Sequence, residues 1–317
     1  MTVSDHLQEL YGLPVFDFPD AGEPVRLPAA ESVAWRIAVE SYDSDEQWQE
    51  AFARFLTAVD TSGVRALIVG AWSDAYDNGP EPVVSAITAA RDRLPALRAV
   101  FVGDITYEEC EISWINQGLV SPLLDAFPEL EEFGVRGGQG LGFESVRHGK
   151  LRSLRVETGG LGAEVVRGIA ASDLPALERL DIWLGSSGYG ADADVSDLEP
   201  ILTGTRLPGL TYLGLRNSDI QDRIAEAVSG APVVARLETL DLSMGTLSDE
   251  GAEALLNGQP LTHLRKLDLH HHFLDGPMVE RLTAAFKETG VEVDLDDPQL
   301  AESLDDGWDH RYTAVAE

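Results

Sequence analysis

One arrangement of apolar and polar positions recurs along the chain. Leu174-Pro-Ala-Leu-Glu-Arg-Leu-Asp-Ile182 carries apolar residues at 174, 177, 180 and 182. The same phrase returns at 207–215, 234–242 and 261–269, and upstream at 94–102 and 127–135. A shortened copy lies at 151–156, and weaker copies at 64–69 and 34–39. The third apolar position of each copy falls at Ile37, Leu67, Val100, Phe133, Leu154, Leu180, Leu213, Leu240 and Leu267, with Val293 following. Their mean spacing is about 29 residues, a period that marks stacked repeats. The last two apolar residues of each copy flank one intervening residue, as a strand with one buried face requires.

The stretches between the copies have helical spacing. In 46–56, Trp48, Phe52, Phe55 and Leu56 share one stripe. The stretch 248–256 opens on Ser248, an N-cap residue type, followed by the acids Asp249 and Glu250, and it ends before Gly258. Residues 220–228 and 278–286 read the same way. Alternating strands and helices predict an α/β fold with a parallel sheet and the helices outside. A single repeat cannot bury its own apolar face, so neighbours must stack into a solenoid. One linker departs from this pattern. Phe133 and Leu154 stand close together, and Gly137-Gly-Gln-Gly-Leu-Gly-Phe143 between them is too glycine-rich for a helix. An irregular connection and a local change of curvature are expected there. Residues 1–32, with Pro14, Pro19, Pro24 and Pro28, are expected to form an N-terminal cap, with the repeats spanning 33–295. Residues 296–317 read as an acidic tail, which Trp308, Tyr312 and Val315 can dock onto the last repeat.

The Leu-x-x-Leu-x-x-Leu-x-Leu phrase resembles the leucine-rich-repeat family, over about residues 33–295. Its period, with helices between strands, is similar to the ribonuclease-inhibitor-like branch. The resemblance implies a right-handed horseshoe with a parallel concave sheet and convex helices, acting as a non-catalytic protein-binding scaffold. Leu13-Pro-Val-Phe-Asp-Phe-Pro19 and Arg311-Tyr-Thr-Ala-Val315 are also similar to the opening and closing phrases of an uncharacterised bacterial cytoplasmic group of such proteins. Members encoded beside radical-chemistry and ATP-dependent ligase-like enzymes imply an alternative role, as an accessory or substrate-recognition subunit of a modifying enzyme. The chain departs from the family at the Asn or Cys that normally follows the third apolar position by five residues. Those places hold Tyr42, Trp72, Ile105, Gly138, Gly159, Gly185, Ser218, Gly245 and His272, so the turns are expected to rely on glycine or water.

Charge narrows the partners. The 317 residues include 55 Asp and Glu against 23 Lys and Arg, a net charge of −32. Such a chain is repelled by nucleic acid and by anionic membranes, and no long apolar run or basic leader is present. The single cysteine, Cys110, permits no internal disulfide, and the chain reads as cytoplasmic.

No catalytic signature is found, and neither a cofactor nor a metal is expected. Gly185-Ser-Ser-Gly-Tyr-Gly190 lacks the glycine spacing of a nucleophile elbow, and residues 192–203 lack the glycine and glutamate of a calcium loop. His263, His270, His271 and His272 cluster near Asp268 and Asp275, but strand alternation separates adjacent members, with His270 on the concave side and His271 at the turn.

The functional argument therefore rests on the concave strip. Nine parallel strands at about 4.8 Å give a surface roughly 40 Å long. Its middle is expected to carry Phe101, Arg136, Arg155, Trp183, Tyr212 and Arg216, residue types enriched at interface hot spots. Two readings are open: the arginines receive an acidic peptide, a carboxylate or a phosphate, or they pair internally, for example Arg155 with Glu157 or Asp181.

Overall fold

A computed structural model describes residues 3–42, 44–303 and 309–316. Twelve strands form one sheet in chain order: β1 (Glu9–Leu10), β2 (Leu13–Asp17), β3 (Ala34–Ile37), β4 (Ala66–Val69), β5 (Ala99–Val102), β6 (Glu132–Arg136), β7 (Ser153–Glu157), β8 (Arg179–Gly185), β9 (Tyr212–Ser218), β10 (Thr239–Asp241), β11 (Lys266–Asp268) and β12 (Glu292–Asp294). All neighbours pair in parallel except β1 and β2, which form an antiparallel hairpin. Eight helices among the described residues follow the strands: α1 (Trp48–Ala58), α2 (Glu81–Ala89), α3 (Pro122–Ala126), α4 (Ala163–Ala171), α5 (Val195–Thr203), α6 (Gln221–Ser229), α7 (Asp249–Asn257) and α8 (Gly276–Phe286). The architecture is an open, mostly parallel α/β sheet of solenoid-like form. No helix among the described residues is long and apolar enough to cross a membrane.

The pairing register follows the repeat. Leu67, Val100, Phe133, Leu154, Leu180, Leu213, Leu240, Leu267 and Val293 stand opposite one another strand by strand. The first copy differs, because Trp35 rather than Ile37 pairs with Leu67. Both side chains point inward, so alternation alone did not discriminate between them. The sheet also starts earlier than the expected repeats. Phe16 of β2 pairs with Trp35, inside the segment read as a cap.

Alternation divides the strand residues between two faces. Trp35, Leu67, Val100, Phe133, Leu180 and their like pack with the apolar stripes of the helices in one continuous core. Trp48, Phe52 and Phe55 of α1 enter it as a stack, and Trp48 donates its indole N–H to the Ile37 carbonyl at 2.8 Å. Ser248 caps α7 as expected, accepting from the Glu250 N–H. No helix occurs between β6 and β7, where the glycine-rich linker makes isolated bridges to the preceding loop.

The strand-end carbonyls meet a mixture of side chains in place of a repeated Asn. Gln117 donates to the Arg136 carbonyl, Gln221 to that of Leu215 and Thr246 to that of Ser218, while a ring nitrogen of His272 faces that of Leu295. The turns therefore rely on individual polar side chains as well as on glycine. At the C-terminal end of β9 and just past β10 and β11, Asn217, Met244 and His271 hold the left-handed backbone, with φ of 54°, 66° and 56°. Asn tolerates this conformation; for Met and His it costs about 1 kcal/mol or more each.

Candidate functional site on the helix-free face

The face away from the helices falls into two unlike halves. At the N-terminal end it presents Ala34, Ala66, Ile68, Ala99 and Phe101, all buried. The β1–β2 hairpin supplies the cover: Leu7, Leu10, Tyr11, Leu13 and Val15 lie against them. Phe101 is 1% exposed, and a side chain on Gly134 would run into its ring. Phe101 therefore does not belong to an accessible strip.

Arg136 is buried as well. Its guanidinium lies over Phe101 at 5.6 Å, bonds Glu157 at 2.8 Å, and reaches Asp104 at 3.3 Å and the Ile105 carbonyl at 3.1 Å. Asp104 is a hub. One oxygen accepts from Leu7 N–H at 3.0 Å and from Arg136, the other from Arg36 at 3.1 Å, with His6 3.5 Å away. Burial works against this carboxylate, but the bonds from His6, Leu7 and the arginines outweigh it and hold its pKa below the ordinary range. The hydrogen bond to Asp104 in turn raises His6 against the opposing burial. The hub ties the N-terminal segment to the sheet. Its partners Arg36 and His6 lay outside the expected strip, although Arg36, between the inward Trp35 and Ile37, has outward parity in either register.

From β7 onward the face is polar and partly exposed. Arg155 lies 3.6 Å from Glu157 and is over a third exposed. Arg179 bonds Asp181 at 2.7 Å and stacks its guanidinium 3.4 Å above the Tyr212 ring. The Tyr212 hydroxyl donates to Asp241 at 2.6 Å, and Arg216 lies 3.2 Å from the same carboxylate and 3.7 Å from Asp181. Arg216 also covers Trp183, 5.6 Å from the ring. Burial first, then Asp181 and Asp241, push the Tyr212 hydroxyl well above the ordinary phenol range. Burial raises Asp241 despite Arg216 beside it. The structure thus brings Arg155, Trp183, Tyr212 and Arg216 together and gives the arginines acidic partners. Internal pairing, the second of the two open readings, describes these contacts; the strip is a mixed ion-pair ladder rather than a bare basic patch.

Three polar atoms on β8 break this tidy accounting. Arg179 Nε, Asp181 Oδ1 and Trp183 Nε1 are buried without a hydrogen-bond partner. They occupy the three successive positions at which β8 faces away from the helices. Buried polar groups are rarely left unpaired, and each such atom costs about 1–3 kcal/mol. Next to Asp181, Gly214 is closely covered, since a Cβ there would sit 2.9 Å from Asp181 Oδ1.

The histidine cluster separates as alternation requires. His270 faces the strip, 2.6 Å from Asp268, which raises its pKa despite burial. Asp268, His270 and Asp294 place ligand-type atoms within 4.8 Å of one another. The Lys266 ammonium already lies 2.8 Å from Asp268 and 2.9 Å from Asp294, in the place a cation would take. Trp308 lies outside the described residues, whereas Val315 is buried and Tyr312 about half exposed.

Comparison with known proteins adds fold rather than function. No family model matches the chain, and no curated protein matches it. The chain is similar to a crystal structure of a protein from Bacteroides fragilis, with a TM-score of 0.74 and 29% sequence identity, over 80% of this chain and 71% of that one.

Proposed function

We propose that the chain is a right-handed leucine-rich-repeat solenoid whose helix-free face is concave. It acts as a non-catalytic, cytoplasmic protein-binding scaffold. The contact surface is the uncovered half of that face, centred on Arg155, Arg179, Trp183, Tyr212 and Arg216. The partner is a protein or peptide; the net charge of −32 disfavours nucleic acid. The observation that carries this reading is the set of unpaired buried atoms on β8, Arg179 Nε, Asp181 Oδ1 and Trp183 Nε1. They are donors and an acceptor left over by the ladder, beside partly exposed Arg, Trp and Tyr side chains of the kind that dominate interface energetics. A partner that brings complementary groups relieves their cost.

The test uses the tagged full-length chain, recovered from its native cells with its bound proteins. Arg155→Glu combined with Arg179→Gln changes the exposed cations and leaves Arg216 beside Asp181. Recovery of the specific partner is expected to fall at least about tenfold, with thermal melting nearly unchanged. Undiminished recovery would refute the proposed surface.

A further inference from the structure

The C-terminal residues 311–316, bent at Ala314, lie along the row of left-handed residues at the C-terminal ends of β9, β10 and β11. The contacts are mostly to main chain. A ring nitrogen of His271 faces the Tyr312 carbonyl at 3.2 Å, and Ala314 N–H donates to the Met244 carbonyl at 2.7 Å. Asn217 brackets Val315, its Oδ1 accepting from the Val315 N–H at 2.9 Å and its Nδ2 donating to the Val315 carbonyl at 2.6 Å. Ser113 donates to the Ala316 carbonyl, and Arg311 reaches the Thr246 carbonyl at 3.0 Å. The side chains that enter are small: Thr313, Ala314 and Val315 are all buried, the last two against Ile112, Met244 and Trp183. A Cβ on Gly159 would collide with the Ala316 carbonyl, so that glycine keeps the channel open.

Three features mark this seat as a recognition site rather than ordinary packing. A side-chain amide that bonds both the N–H and the C=O of one residue reads a peptide backbone without regard to its side chain. Three successive repeats hold non-glycine residues in the left-handed conformation where the seat is built. The occupant is also incomplete, because Trp183 packs against it while its Nε1 stays buried and unpaired. We propose that the seat binds peptides carrying small apolar side chains, and that residues 311–316 are its resident competitor. The ligand is a partner segment of Thr-Ala-Val-Ala-like chemistry. Its main chain takes the bonds of Asn217 and Met244, and an added acceptor near Trp183 favours it over the tail. The seat shares Trp183 with the charged strip, but none of its hydrogen bonds involves Arg155 or Arg179, the residues changed in the test of that strip.

The probe is a fluorescent peptide with the sequence of residues 309–316, followed by anisotropy. Ala314→Glu with Val315→Glu, in the full-length chain, expels the tail. That variant is expected to bind the peptide at least about tenfold more tightly than the wild-type chain, whose own tail competes. Adding Asn217→Gly keeps the turn but removes the bracketing amide, and is expected to weaken binding at least about tenfold. Equal binding by the wild type and the tail variant, or no binding by a tail variant that melts cooperatively, would overturn the proposal. So would a wild-type chain that dimerises by exchanging tails, because the seat would then belong to a second copy. Amide exchange of the wild-type chain covers the case in which the tail variant fails to fold. Ala314 and Val315 are expected to exchange at least about a hundredfold faster than the centre of β9, and exchange only with global unfolding would make the tail a fixed part of the fold.

Discussion

The two halves of the helix-free face have the same backbone and opposite chemistry. From β3 to β5 the outward positions are Ala34, Arg36, Ala66, Ile68, Ala99 and Phe101, and a hairpin of the same chain covers the apolar ones. From β8 to β11 the equivalent positions are Arg179, Asp181, Tyr212, Gly214, Thr239, Asp241, Lys266 and Asp268, and the apolar cluster under the β1–β2 hairpin does not include them. Small apolar residues permit close cover by Leu7, Leu10 and Leu13, whose burial is favourable at about 25 cal/mol per Å². Charged residues would lose hydration under such a cover; here the buried Asp181, Asp241 and Asp268 pair with partly exposed Arg179, Arg216 and Lys266. A stacked repeat thus carries two surfaces on one sheet, one used by the fold and one left for contact.

The largest expected effect lies under the covered half. Asp104→Ala removes the carboxylate that holds Leu7 and His6 to Arg36 and leaves both Arg36 and Arg136 short of a partner. A loss of about 3–5 kcal/mol is expected in urea unfolding. A loss below about 1 kcal/mol would mean that the cover does not depend on this hub. A smaller effect is expected from Gly134→Leu, which forces a side chain into the space of the Phe101 ring and costs about 1–3 kcal/mol. Gly214→Ala on the polar half sets a single methyl against the Asp181, Tyr212 and Arg216 side chains and should cost less, so equal costs would erase the difference between the halves.

The smallest effect concerns pH. His6 has its folded pKa raised above 6.5 by Asp104. A raised histidine contributes stability that is fully present below its unfolded value and disappears as pH rises through the folded one. The unfolding midpoint of wild type should therefore exceed that of His6→Gln most at about pH 5–6, and the two should converge above the folded pKa. A gap that widens with pH would contradict this sign.

Much of the fold was legible because the repeat writes one core position per strand. Leu67, Val100, Phe133, Leu154, Leu180, Leu213, Leu240 and Leu267 stand in the predicted line. Trp35 took the place predicted for Ile37 because two residues of equal parity are alike to a pattern of period two. β2 was hidden by Pro14, which has no N–H to give and reads as a cap. The cover over Phe101 and the pairing of Arg136 with Asp104 are contacts between distant segments, and no local spacing announces them. Ala34, Ala66, Ala99 and Ile68 did carry a signal, since apolar residues at the outward positions of a strand call for a cover. The tail seat was less legible still, because Met244 and His271 give no hint of a left-handed backbone.

Thiol labelling tests the division of the sheet most directly. Ala99→Cys and Thr239→Cys occupy the same outward column, one under the hairpin and one on the uncovered half. Cys110 is a quiet background, because it is buried and burial, with Glu111 and Glu109, pushes its pKa up to about 11. With a water-soluble maleimide at neutral pH, Thr239→Cys is expected to react at least about a hundredfold faster than Ala99→Cys. Equal rates in two variants that both melt cooperatively would show that the hairpin does not cover the sheet, and would contradict the account.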